Sequence, residues 1–116
     1  MPDIIRTCTE EDIESILQLD AYAYSVPESS LERFREHLKK IYQEFYIHIS
    51  NDLPTATARV LPFRQNIRGL MKPMAGIGMV SSAPEYRRQG FVHSMLLKIL
   101  DNLNSEGYAT STLYPF

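Results

Sequence analysis

The stretch from Val80 to Leu103 constrains the fold more than any other part of this sequence. Val80, Ser81 and Ser82 close an apolar run that begins near Gly76, and Ala83, Pro84 and Glu85 read as a turn. Arg87, Arg88 and Gln89 are basic and polar; Gly90 follows; then Phe91, Val92, Met95, Leu96, Ile99, Leu100 and Leu103 recur at helical spacing. A buried strand therefore passes through a tight basic turn into a helix. The first amides of a helix lack internal partners and sit at the positive end of its dipole, so that an anion binds there. Gly90 lets backbone approach such an anion, and Arg87 and Arg88 add charge and forked donors. The turn lacks both the Gly-Lys-Ser/Thr of a Walker loop and the Gly-x-Gly-x-x-Gly of a dinucleotide site. His93 is close to the loop and able to approach a phosphate; an ordinary first-turn helix residue is the plainer reading.

The rest of the chain supplies a frame for that unit. Ile4 and Ile5 suggest a short strand. Thr9 with Asp12 and Ser29 with Glu32 match capping boxes. One helical face follows each: Ile13, Ile16, Leu17, Ala21 and Tyr24, then Leu31, Phe34, Leu38, Ile41 and Tyr42. The run 45–50 is rich in aromatic and β-branched residues and predicts a strand. Asn51, Asp52 and Pro54 predict a turn, and 55–61 a second strand of an antiparallel hairpin, ended by Pro62. Residues 63–75 are expected to be a long loop. Strand 76–82, a helix over about 90–104 stopped by Gly107, and a final strand over 108–114 complete the order β-α-α-β-β-β-α-β. The class is α/β (α+β), a mixed, mostly antiparallel sheet flanked by helices, with the last strand-helix-strand unit a parallel crossover. The sequence stops just after that strand, on apolar Phe116. An uncovered sheet edge there is a liability, so the expectation is one domain, 1–116, that is the N-terminal part of a larger protein or borrows strands from a partner.

Composition narrows the partners. The 116 residues suffice for one core. No apolar run approaches the roughly 18 residues of a membrane span, and the N-terminus has no secretory or transit character. A lone cysteine, Cys8, excludes an internal disulfide and a multi-cysteine metal site, and a reducing cytoplasm is the simplest setting. Residues 1–52 hold 11 acids and 5 bases, whereas 53–116 hold 3 acids and 7 bases. The basic second half suits an anionic ligand. Aromatic residues do not alternate with bases, so nucleic acid is not an expected partner. His37 and His48 have no companions at metal spacing, and no metal is expected.

Arg87-Arg88-Gln89-Gly90-Phe91-Val92 resembles the Q/R-x-x-G-x-G/A element of the GCN5-related N-acetyltransferases, as do the preceding strand and its Ala-Pro-Glu-Tyr turn. The run from Leu61-Pro62-Phe63 through Gly76-Ile77-Gly78-Met79-Val80 to Gly90 is similar to the enhanced-intracellular-survival (Eis) branch, larger acetyltransferases in which such a segment opens the first of several domains. Val92, where glycine or alanine is usual, fits that branch. The resemblance implies an acetyl-CoA-dependent N-acetyltransferase acting on a primary amine, small-molecule or peptide. It implies that backbone groups of Val80 and Ser82, with Ser81 between them, pair with the pantetheine arm. The amides of Arg88, Gln89, Gly90, Phe91 and Val92 would hold the pyrophosphate, with Arg87 and Arg88 supplying charge near the phosphates. The thioester carbonyl would lie near Val80, where a backbone amide stabilises the developing oxyanion, and the amine attacks directly. Strand 76–82 carries no carboxylate to serve as base. Tyr114 is the nearest phenol, better read as structural, so no catalytic residue is assigned. Cys8 is read as a buried small residue. Arg64, Arg68 and Lys72 are candidates for the coenzyme 3′-phosphate or an acceptor entrance, or are solvated charge. The alternative to an enzyme is a non-catalytic module of the same fold that binds CoA or a protein. A homo-oligomer or further domains of a longer chain are the expected protein partners.

Overall fold

Residues with alternating apolar side chains build a sheet that is covered on both faces. The computed structural model describes residues 3–67, 69–86, 89–107 and 110–113, with the backbone alone for 62–67, 70–75, 86 and 110–113. Its strands are β1 (Ile4–Thr7), β2 (Phe45–Ser50), β3 (Leu53–Ile67), β4 (Leu70–Ser82) and β5 (Thr110–Leu113), and its helices are α1 (Ile13–Ala23), α2 (Leu31–Ile41) and α3 (Phe91–Ser105). The sheet order is β1-β2-β3-β4-β5. The first four strands are antiparallel neighbours, and β5 joins β4 in parallel. The element order and the mixed sheet match what the hydrophobic periods predict.

β2 shows why the sheet has two dry faces. Phe45 and Ile47 pack with Cys8, Ile13, Ile16, Leu17 and Leu38 beneath α1 and α2. Tyr46, one residue on, joins Ala56, Ala58, Ile77, Val80 and the α3 residues Met95, Ile99 and Leu103 on the other face. Period two in the strand meets a helical stripe on either side. The three buried α3 side chains each contribute about 1.5–3 kcal/mol. At the β2–β3 reversal, Asn51 and Asp52 both take positive φ, +52° and +63°. That is the mirror-image turn whose twist suits a hairpin.

Two expectations are corrected. Residues 63–75 are not a loop: β3 runs on through Pro62 to Ile67, and Ile67 pairs with Leu70 across a tight reversal where Gly69 has φ +83°. Pro62 lies beyond Arg59, the last β3 residue paired with β2, and Pro73 lies before Met74, the first β4 residue paired with β5. Each proline sits where its strand has one neighbour only, the position that tolerates a residue without an N–H. The second capping box also fails to form. A 3-10 turn over Glu28–Ser30 leads into α2, and the Glu32 carboxylate pairs with Arg35 instead of reaching back.

The first helix start does use its acid. The Thr9 amide donates to Asp12 Oδ2 at 2.7 Å, and Arg6 from β1 donates to both carboxylate oxygens at 2.6 and 3.1 Å. The Arg6 guanidinium, first, then the Thr9 amide hold the Asp12 carboxyl below the usual carboxylate range, against the opposing effect of burial. Asp12→Ala removes a part-buried capping acid and strands Arg6. It is expected to lower the urea-unfolding free energy by about 1–2 kcal/mol. An unchanged unfolding midpoint would contradict that reading.

Candidate functional site

The site grows from an irregularity in β4. Thr57 on β3 faces Ser81, and Arg59 faces Gly78, so that Ala58 alone opposes both Met79 and Val80. This is a β-bulge, and its extra residue, Met79, takes φ +49°. A side-chain-bearing residue rarely adopts that conformation. Beyond the bulge the strand is firmly held. Val80 is buried in the α3-side core, and the Ala83 amide donates to the Thr55 carbonyl at 2.8 Å. Ser82 is half-buried.

A 3-10 turn over Pro84–Tyr86 then delivers the chain to α3. Gln89 is exposed, and its side chain donates to the Glu85 carbonyl at 3.2 Å. Gly90 is the N-cap of α3 with φ +76°, the left-handed region. That conformation, not crowding, requires glycine, since an added Cβ would meet nothing within 4 Å. The first i→i−4 bond of the helix runs from the Ser94 amide to the Gly90 carbonyl, 2.9 Å. Val92 and His93 precede it, so that their amides have no carbonyl to bind within the helix. The first turn of α3 carries no acid, and His93 is exposed. Amides without helix partners and a first turn without an acid are features that suit an anion. Arg87 and Arg88 lie outside the described residues, as do Arg68 and Tyr114; Arg64 and Lys72 are described in backbone only.

Phe91 anchors the start of α3 from beneath. Its ring stacks on His48 with centroids 4.5 Å apart. His48, fully buried, lies with Nδ1 2.6 Å from the Thr55 hydroxyl. Its Nε2 is 3.3 Å from an Asp3 carboxylate oxygen but is not aligned for a hydrogen bond. In sequence His48 is bland; the structure makes it a packing partner of the loop residue Phe91.

The face of β4 turned toward α1 carries groups that sequence reasoning missed. Asp20, in the last two turns of α1, is 0% exposed. Its Oδ1 accepts from Ser81 Oγ at 2.7 Å and from Thr57 Oγ1 at 3.4 Å, while Oδ2 has no partner among the described residues. The two hydroxyls are 3.0 Å apart. Burial pushes the Asp20 carboxyl up to about 6, against the lowering effect of the two hydroxyls. One helical turn on, the Tyr24 hydroxyl donates to the Val80 carbonyl at 3.3 Å. A signal was present: Asp20 falls on the apolar stripe, three residues after Leu17 and four after Ile16, where an acid stays only if something receives it. Cys8 is buried and its thiol is pushed up to about 12, chiefly by desolvation, which leaves it inert as a nucleophile. Among the described residues no group of three or more His, Cys, Asp or Glu side chains is placed to hold a metal ion, and no helix is long and apolar enough to cross a membrane.

Comparison with known proteins follows the same outline. The family model described as acetyltransferase (GNAT) domain matches residues 4–116. A probable N-acyltransferase from Enterococcus faecalis V583 is 28% identical and superposes with a TM-score of 0.83 over 100% of this chain and 30% of its own. A GCN5-related N-acetyltransferase from Kribbella flavida is 27% identical, with a TM-score of 0.84 over 98% of this chain and 30% of its own. The chain thus spans under a third of the length of either. An aminoglycoside N-acetyltransferase solved in complex with CoA shares the fold, with a TM-score of 0.80 at 12% identity, over 99% of this chain and 78% of its own. No curated protein matches the sequence.

Proposed function

This chain belongs to the acetyltransferase (GNAT) domain family, and from that premise we propose that it binds acetyl-CoA at the β4–α3 junction as part of an N-acetyltransferase. The carrying observation is the sequence of bulge, strand end, left-handed Gly90 and acid-free helix start in one continuous run. Backbone groups of Val80 and Ser82, on either side of Ser81, pair with the pantetheine arm. The amides of Arg88, Gln89, Gly90, Phe91 and Val92 bind the pyrophosphate, Arg87 and Arg88 add positive charge beside it, and His93 is close enough to approach it. The acceptor is a primary amine, on a small molecule or a peptide. Its nitrogen bonds to the acetyl carbon, the carbon–sulfur bond breaks, the amine loses a proton and the CoA sulfur takes one. The Val80 backbone stabilises the oxygen that develops charge.

We also propose that 1–116 is the N-terminal part of a larger, Eis-like acetyltransferase of the cytoplasm. Support comes from the Enterococcus faecalis and Kribbella flavida proteins, 28% and 27% identical, each about three times as long as this chain. Further domains of that longer chain, or other copies of it, are then the protein partners.

Calorimetric titration tests the coenzyme site. Wild-type chain is expected to bind acetyl-CoA with a Kd in the micromolar range (on the order of −8 kcal/mol), and Gly90→Asp, which sets a negative charge where the phosphates bind, to abolish binding. Gly90→Ala is the control for backbone strain, expected to cost about 1 kcal/mol of stability while retaining measurable affinity. A folded wild-type chain that ignores acetyl-CoA would remove the proposal. Steady release of free CoA thiol with amine acceptors by the full-length protein separates an enzyme from a module that only binds.

A further inference from the structure

We propose that Asp20 is a positioning residue for the coenzyme-holding strand: reaching from α1, it fixes Ser81, the residue between Val80 and Ser82, and thereby sets the backbone with which acetyl-CoA pairs. The inference rests on the coenzyme reading above. Its geometry is specific. α1 and the residue that caps its end touch β4 through two polar side chains one turn apart: Asp20 holds the Ser81 hydroxyl at 2.7 Å, and Tyr24 holds the Val80 carbonyl at 3.3 Å. These consecutive β4 residues come directly after the bulge, where ladder pairing with β3 has slipped by one residue. β3 holds this strand end along one edge, opposite Thr57 and Ala56, and the α1 side chains add a restraint from the face of the sheet just where the register has shifted. The Thr57 hydroxyl, 3.0 Å from Ser81 Oγ, ties the same point to β3.

The restraint depends on charge. A hydroxyl bonded to a carboxylate is held about twice as strongly as one bonded to a neutral acceptor. When Asp20 is ionised, both hydroxyls are drawn toward it. When it is protonated, with the proton on Oδ2, Oδ1 still accepts from the hydroxyls but as a neutral carbonyl oxygen, and holds them more weakly. Its carboxyl, at about 6, changes state between mildly acidic and neutral solution. The other ionisable groups that face it are Cys8, beside β1, and Tyr24, at the end of α1. Both have acidities weakened by burial first and by Asp20 as well, so that neither ionises in that range. Thr57 and Ser81, on β3 and β4, do not titrate. Among the described residues, no cation perturbs Asp20.

The test is acetyl-CoA titration by calorimetry at about pH 5 and about pH 8 on the wild-type chain and Asp20→Asn, an isosteric substitution that mimics the protonated acid. At the higher pH, Asp20→Asn is expected to bind about fivefold more weakly than wild type, the scale separating a charged from a neutral hydrogen bond. At the lower pH the two are expected to converge. Ionisation of the coenzyme phosphate and of histidines affects both proteins alike and cancels in the ratio. Ser81→Ala is expected to weaken binding at the higher pH. In its presence Asp20→Asn is expected to have no further effect, because the influence of the carboxylate passes through the Ser81 hydroxyl. Ser81→Ala also carries the test by itself should the Asp20→Asn chain fail to fold. A ratio of one at both pH values, or one that does not change with pH, overturns the positioning role and leaves the coenzyme site standing. Absence of binding by folded wild type overturns both.

Discussion

Asp20→Asn is expected to gain stability relative to the wild-type chain as pH rises from about 4 to about 7, by about 3 kcal/mol in total. The carboxyl is fully enclosed, one of its oxygens has no partner among the described residues, and burial holds it at about 6 in the folded protein against an ordinary value of 3.8. Between those values the folded chain keeps a proton that the unfolded chain has released. Wild-type stability therefore falls with rising pH across that window and levels off above it, where a buried charge must be sustained. Asparagine has no such dependence. Asp12 contributes in the opposite sense: its lowered carboxyl supplies stability above the ordinary carboxylate range that is lost as pH falls through its folded value. That contribution is common to both proteins and drops out of the difference. Urea unfolding of the pair at a series of pH values measures the gap directly, and a gap independent of pH would show that Asp20 is not buried as described.

Phe45→Ala is expected to cost about 3–5 kcal/mol and to leave little folded protein at physiological temperature. Phe45 opens β2 with 0% exposure and sits among Ile16, Leu17, Leu38 and Ile47, where α1 and α2 both close on the sheet. The fully buried neighbours Ile16, Leu38 and Ile47 are branched and enclosed, so the void left by the ring is filled only in part. Phe45→Leu, which keeps most of the volume, is expected to cost markedly less. Thermal unfolding of the two variants checks the order. Equal, small losses would mean that this cluster is not the tightly packed support of the sheet.

The frame was legible where a single period dominated. The apolar spacing of Ile13 to Leu17, Leu31 to Leu38 and Met95 to Leu103 located the helices, and β2 was found to the residue from its aromatic and β-branched run. The long β3–β4 arm was not legible, because Pro62 and Pro73 argue against strands unless it is known that each lies past the end of a neighbouring strand. The candidate anion loop was readable because its chemistry is local: a strand end, a glycine and a helix start adjoin in sequence. The Asp20–Ser81–Thr57 group was not, because Thr57 and Ser81 lie 37 and 61 residues from Asp20 and meet it only when α1 settles on the sheet. An acid on an apolar stripe signals that a partner exists without saying which. Ser29 with Glu32 shows the converse: a pattern can be present and go unused when a better-placed arginine takes the carboxylate.

The two tight reversals that join β2, β3 and β4 have a kinetic meaning. Ser50 faces Leu53 and Ile67 faces Leu70, so the three central strands can zip together from contacts between near neighbours in the chain. β1 pairs with β2 only across the long span that contains both early helices, as in Ile4 opposite Ile49. Closing that span is entropically costlier and slower than closing a hairpin. The meander is thus expected to form first, with β1 and its helices condensing onto it afterwards. On that order the irregular register of the bulged strand is laid down before α1 arrives to lock it.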